Sequence, residues 1–162
     1  MNRDLEMLKL DMKENPVMGK LIDISLTLDQ AKSLMILMEA VSNKSLLYTV
    51  ALTAARGRGK SATLGLSVAG AIHCNYSNIF VTAPSPENLQ AFFSFVKIGL
   101  EALDYKENMD FQIIQSTNPD FKNSIIRIEV TKSHKQIIQY LLPTDSSKLG
   151  YVQYFHNFRP IS

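Results

Sequence analysis

A single cysteine, Cys74, stands in 162 residues, so no disulfide can form within the chain. His73 is its neighbour, but no further ligands stand nearby, and with three histidines in all the sequence holds no Cys/His zinc pattern. This cysteine usage points to a reducing, intracellular setting. No apolar run approaches the ~18 residues that a membrane span needs. The longest weakly polar stretch, residues 62–72, is short and rich in Gly, Ser and Ala. A mean hydropathy of −0.01 agrees, and no membrane partner is expected. Residues 1–15 mix Arg3, Lys9 and Lys13 with Asp4, Glu6, Asp11 and Glu14, which suits neither a signal peptide nor a transit peptide. An excess of one charge sign is missing too: a net charge of +2 does not by itself announce a nucleic-acid binder. Internal repeats and low-complexity stretches are likewise absent.

What is present is a globular composition, 46% apolar and 20% charged, at about one domain's length. Residues 1–20 read as a polar opening segment set apart by Pro16 and Gly19. Leu28, Ala31, Leu34, Met35, Met38 and Val41 then recur at helical spacing, with Thr27 placed as the N-cap. Residues 46–54 form a compact apolar and β-branched run, read as a buried parallel strand. A helix rich in small residues is expected over Lys60–His73 and a short strand over residues 78–82. After the turn Ala83-Pro84-Ser85-Pro86, a helix carries Leu89, Phe92, Phe93, Val96, Leu100 and Leu103 on one face, read as core packing. Three further strands are expected over Phe111–Gln115 and residues 124–130 and 136–142. In the second, Ile126, Ile128 and Val130 alternate with Ile125, Arg127 and Glu129. Strand and helix in alternation predict an α/β domain with a mostly parallel sheet and flanking helices.

One motif carries chemistry. Between the expected strand and the small-residue helix lies Ala54-Ala55-Arg56-Gly57-Arg58-Gly59-Lys60-Ser61. It fits the phosphate-binding pattern G-x-x-x-x-G-K-[ST], with Ala54 where the first glycine is usual. Gly57 and Gly59 let backbone N–H groups crowd a polyphosphate without a Cβ in the way. The N-terminus of the helix that follows, continuing through Ala62, adds donors and partial positive charge. Lys60 can reach the β/γ-phosphates, and the Ser61 hydroxyl can ligate Mg²⁺. Arg56 and Arg58 admit two readings, as partners of phosphate or nucleic-acid backbone, or as solvated loop charges. So do the basic residues of the last third, Lys122, Arg127, Lys132, His134, Lys135 and Lys148: an RNA-facing side, or ordinary solvated charge. Ser85 lacks a G-x-S-x-G setting. Cys74 reads as a small buried apolar residue, and Met35 and Met38 as core rather than a cofactor box.

The residues from Thr49 through the loop to Ala62 closely resemble the RNA cytidine acetyltransferase family. So do Tyr76-Ser77-Asn78-Ile79-Phe80-Val81-Thr82 with Ala83-Pro84-Ser85-Pro86-Glu87-Asn88-Leu89, and Ile113-Ile114-Gln115-Ser116-Thr117-Asn118-Pro119. Thr27-Leu28-Asp29-Gln30-Ala31-Lys32, residues 134–140 and Lys148-Leu149-Gly150 match as well. The likeness runs over about residues 16–150 and is nearest to the eukaryotic, nucleolar branch.

That resemblance implies a RecA-like P-loop NTPase fold over residues 21–150, the first part of a helicase/ATPase module. Members of the family join this module to an acetyltransferase module and an RNA-binding tail. They use acetyl-CoA and ATP to form N4-acetylcytidine in 18S rRNA and in some tRNAs, in the nucleus and nucleolus. On the matching positions, Arg56, Gly57, Arg58, Gly59, Lys60, Ser61 and Ala62 would bind ATP, and Ser61 would hold Mg²⁺ through the nucleotide. Gln30 stands where a helicase-type glutamine recognises adenine, or is a solvated helix residue. Nothing here resembles the acetyltransferase module, so acetyl-CoA has no residue in this sequence and no catalytic residue is assigned. Residues 151–162 depart from the family as a divergent tail: where an acidic pair would follow Gly150, no acidic residue stands. A truncated or alternatively spliced product, or a partial gene model, is the reading this prompts. Two other functions remain open, a nucleotide-binding or scaffolding fragment without catalysis and a stand-alone P-loop ATPase or kinase. An oligomer is compatible with the sequence.

Overall fold

The computed structural model describes residues 3–43, 50–53, 59–74, 76, 78–83, 87–117, 119, 125–130 and 135–141. Five helices and four strands lie among them: α1 (Arg3–Met12), α2 (Met18–Asp23), α3 (Leu28–Asn43), α4 (Lys60–His73), β1 (Asn78–Ala83), α5 (Glu87–Ala102), β2 (Phe111–Gln115), β3 (Ile125–Val130) and β4 (Lys135–Leu141). The chain divides into two compact units. One holds residues 1–74 and 94–104, the other residues 75–93 and 105–162.

The first unit is helical. The opening segment, read from sequence only as polar, forms α1 and α2, which pack with α3. These two helices bury Leu5, Gly19, Leu21 and Ile22. Asn15 Oδ1 accepts the backbone N–H groups of Val17 and Met18 at 3.1 and 2.8 Å, which starts α2. Two surface contacts of this unit tie lysines to distant residues: Lys9 Nζ donates to the carbonyl of Asp23 at 2.7 Å, and Lys20 pairs with Asp104. In α3 the buried side chains are Ala31, Leu34, Leu37 and Met38. Leu28, Met35 and Val41, expected on the same face, are half-buried. Helix α4 spans the residues expected and is buried from Thr63 to Ile72 except at Leu64. A helix apolar nearly all round belongs inside, and its small residues allow the neighbours in closely. A Cβ on Gly70 would stand 2.5 Å from Met38 Sδ, and one on Gly99 2.7 Å from Ala69 Cβ. These glycines set the distance of α4 from α3 and from the end of α5.

The second unit carries a four-stranded sheet in the order β1-β4-β3-β2. Strand β1 pairs with β4 in parallel, Asn78 opposite Gln136 through Ala83 opposite Leu141. The β3–β4 and β2–β3 pairs are antiparallel, with a register shift between Ile114 and Gln115. This corrects the mostly parallel sheet: among the described pairings one is parallel and two are antiparallel. The connections explain it. A parallel neighbour needs a crossover of about a dozen residues or more, and only residues 131–134 separate β3 from β4. Residues 46–49 and 54 of the expected loop-side strand lie outside the described residues, and 50–53 form no strand. The alternation in β3 holds: Ile128 and Val130 are buried, while Arg127 and Glu129 on the other face form a 2.8 Å ion pair. The apolar face of α5 is also as expected, with Leu89, Phe92, Phe93, Val96, Leu100 and Leu103 all buried. Phe92 and Phe93 meet edge to face, ring centroids 5.3 Å apart. The structure thus mixes helix and strand around a small sheet, compatible with an α/β class.

Candidate nucleotide site

Gly59 is the hinge of the candidate site. It precedes α4 with φ 77° and ψ 22°, left-handed geometry that glycine adopts without a Cβ penalty. Its carbonyl accepts the Thr63 amide N–H at 3.0 Å, the first internal bond of α4, and the Thr63 hydroxyl at 3.1 Å. Thr63 is buried, so this second bond also satisfies a polar group withdrawn from water. The N-cap residue of α4 is Gly59, which has no side chain with which to cap the helix. The amides of a helix's first turn have no acceptor within their own helix and suit an anion placed off that end. Lys60 and Ser61 lie in this turn, both half-buried, and Ala62 is buried behind them.

Gln30 reaches the same place from α3. Thr27 caps α3: its Oγ1 accepts the Gln30 backbone N–H at 3.2 Å, and its carbonyl accepts the Ala31 N–H at 3.1 Å. Gln30 answers by taking the Leu26 backbone N–H on Oε1 at 3.0 Å. This is a reciprocal cap of the S/T-x-x-E/Q kind, displaced by one residue. The rest of the Gln30 amide lies across Gly59, where a Cβ would overlap Nε2 outright and stand 2.9 Å from Cδ. Gln30 meets Gly59 at one end of the helix pair and Met38 meets Gly70 further along. Helices α3 and α4 therefore run the same way, with both N-termini at the candidate site, where their partial positive charges add.

Of the residues picked from sequence, the structure brings together Gln30, Gly59, Lys60, Ser61 and Ala62. Arg56, Gly57 and Arg58 lie outside the described residues, as do Lys122, Lys132, His134 and Lys148 and residues 151–162. Thr63 was missed as an anchor of Gly59, and so was the return bond of Gln30. The second had a signal, since Thr27-Leu28-Asp29-Gln30 is a capping-box spacing. Among the described residues no cluster of three or more His, Cys, Asp or Glu could hold a metal ion. No described helix is long and apolar enough to cross a membrane.

A separate open groove of about 770 Å³ in the helical unit is lined by Met12, Met18, Met35, Ile36, Met38 and Cys74 among others. Cys74, expected to be buried, is half-buried on its wall. Met38 is buried as expected, and Met35 is only half-buried.

Comparison with known proteins adds the family. Residues 51–153 match the description "RNA cytidine acetyltransferase NAT10/TcmA, helicase domain". The chain belongs to the RNA cytidine acetyltransferase family. It is 53% identical over 149 residues to the RNA cytidine acetyltransferase of Homo sapiens, which covers 91% of this chain and 14% of that protein. It is 50% identical over 151 residues to RNA cytidine acetyltransferase 2 of Arabidopsis thaliana, 93% of this chain and 15% of that one. With the Saccharomyces cerevisiae RNA cytidine acetyltransferase the identity is 49% over 147 residues, 91% and 14%. The chain thus spans about a seventh of the length of these relatives, and the matched family region is their helicase module.

Proposed function

We propose that this chain is the ATP-binding part of the RecA-like helicase module of an RNA cytidine acetyltransferase. The observation that carries this reading is the left-handed Gly59 at the N-cap of α4, followed at once by Lys60 and Ser61. A Cβ at position 59 would overlap the Gln30 amide, so only glycine fits where the loop enters α4. In this reading the α4 amides and Lys60 hold the β/γ-phosphates, and Ser61 ligates Mg²⁺ carried in by the nucleotide. The ion neutralises phosphate charge when bound. Arg56, Gly57 and Arg58 complete the loop, and Ala62 packs behind it. As part of a longer family member, the module would serve N4-acetylation of cytidine in 18S rRNA and tRNA in the nucleolus, with acetyl-CoA bound by a different module.

The test is calorimetric titration of the chain with ATP·Mg²⁺. Lys60→Ala should weaken binding by about 1.5–3 kcal/mol, the scale of a charge-assisted hydrogen bond. Equal affinity of the two proteins for ATP·Mg²⁺ would overturn the assignment.

A further inference from the structure

We propose that Gln30 is a positioning residue for the phosphate loop, pinned by the cap of α3 and laid across Gly59 so that the loop's last residue stays left-handed. The inference rests on the nucleotide-binding reading and deepens it. Glycine visits positive and negative φ about equally, so nothing intrinsic keeps Gly59 at φ 77°. Two contacts do. Thr63 holds its carbonyl with an amide and a hydroxyl. Gln30 covers its Cα, with Cδ 2.9 Å and Cγ 3.1 Å from the place a Cβ would take. Moving Gly59 into another conformation means displacing one of the two.

Gln30 resists displacement because both ends of the residue are tied. Its backbone N–H donates to Thr27 Oγ1, and its Oε1 accepts the Leu26 N–H. These bonds also bear on the adenine reading. Bidentate recognition of adenine by a glutamine uses the amide's carbonyl and NH₂ together. Here Oε1 is engaged with Leu26 and Nε2 lies over Gly59. The side chain therefore acts on the loop rather than on a base. Its effect on a ligand is preorganisation: amides already aimed need no ordering when phosphate arrives. The α3 cap and the α4 N-terminus become one mechanical unit.

The experiment has two arms on the same chain, wild type and Gln30→Ala. In the first, without ligand, amide hydrogen exchange is followed at Thr63, whose N–H bonds the Gly59 carbonyl. Loss of the brace should speed exchange there about tenfold, while the core of α3 from Leu34 to Met38 stays protected. In the second, titrations use ATP·Mg²⁺, GTP·Mg²⁺ and inorganic tripolyphosphate. All three affinities should fall by a common factor of about ten. Gln30→Met fills similar space without either polar atom and should act in the same direction, which covers the case of an unstable alanine variant. Unchanged exchange at Thr63 overturns the brace. A loss confined to ATP also overturns it and makes Gln30 a base reader. If wild type binds none of the three ligands, the nucleotide reading fails, and the ligand-free exchange still decides whether Gln30 holds Gly59.

Discussion

In the helical unit the closest approaches are made by residues with almost no side chain: Gly59 against Gln30, Gly70 against Met38, Gly99 against Ala69. Both units also bury bulky side chains, Leu21, Ile22, Leu34 and Ile72 in the helical one and Ile79, Phe92, Phe93, Phe111 and Ile128 in the sheet one, but the close glycine contacts belong to the first. A glycine contact tolerates added atoms only where its neighbour can move, and a buried bulky side chain cannot spare the atoms it has. Two polar side chains with structural work, Gln30 and Thr63, sit beside Gly59, and Thr27 holds the Gln30 backbone. A close backbone approach leaves polar backbone groups near one another, and short or amide side chains complete their hydrogen bonds.

The largest effect is expected where a bulky residue is deleted. Phe111 is fully buried, and Phe111→Ala should cost about 3–5 kcal/mol in urea unfolding, transfer and cavity terms together. A loss under about 1 kcal/mol would mean that the sheet unit can collapse into the gap, and the contrast between the units would fail. Adding one methyl to the helical unit comes next. Gly99→Ala drives a Cβ toward Ala69 Cβ, which cannot rotate away, and should cost about 1–3 kcal/mol by the same assay. The smallest effect should come from the matching change at Gly70. There the obstacle is the thioether of Met38, a flexible group that lines the open groove and has space to swing into. The gain of about 1 kcal/mol in helix propensity offsets the strain, leaving Gly70→Ala within about 0.5 kcal/mol of wild type. Equal losses at Gly99 and Gly70 would show that backbone spacing, not the stiffness of the opposing atom, sets the tolerance.

How much of this was legible in the sequence differs by element. The face of α5 was legible in full, because six large apolar residues at steps of three and four leave one orientation. Helix α4 was found from its loop signal and small residues. The opening helices were not, since α1 carries charge on every side and only Leu5 is buried. Leu37 was missed on α3 because helix packing widened the buried stripe beyond the strict repeat. Strand direction was misread although the chain held the clue: the four residues between β3 and β4 cannot cross a sheet face. At the site, Gly59, Lys60 and Ser61 came from a local pattern, whereas the bond pairing Gln30 with Leu26 and its cover over Gly59 depend on how α3 packs on α4.

The parallel pairing of β1 with β4 has a consequence for how the chain is made. Asn78 finds its partner at Gln136, about 58 residues later, while Arg127 and Ile138 on the adjacent pair are only 11 apart. Short loops close first and long ones late, so the β3–β4 hairpin is the natural seed and β1 the last of the described strands to join. On a ribosome adding about 5–20 residues per second, β1 waits roughly 3–12 s before its neighbour has even been synthesised. Through that interval the edge of β1 that later pairs with β4 is an open template for strands of other chains. The sheet's assembly is therefore paced by translation, and the segment from Asn78 to Ala83 is where a chaperone would find its first substrate.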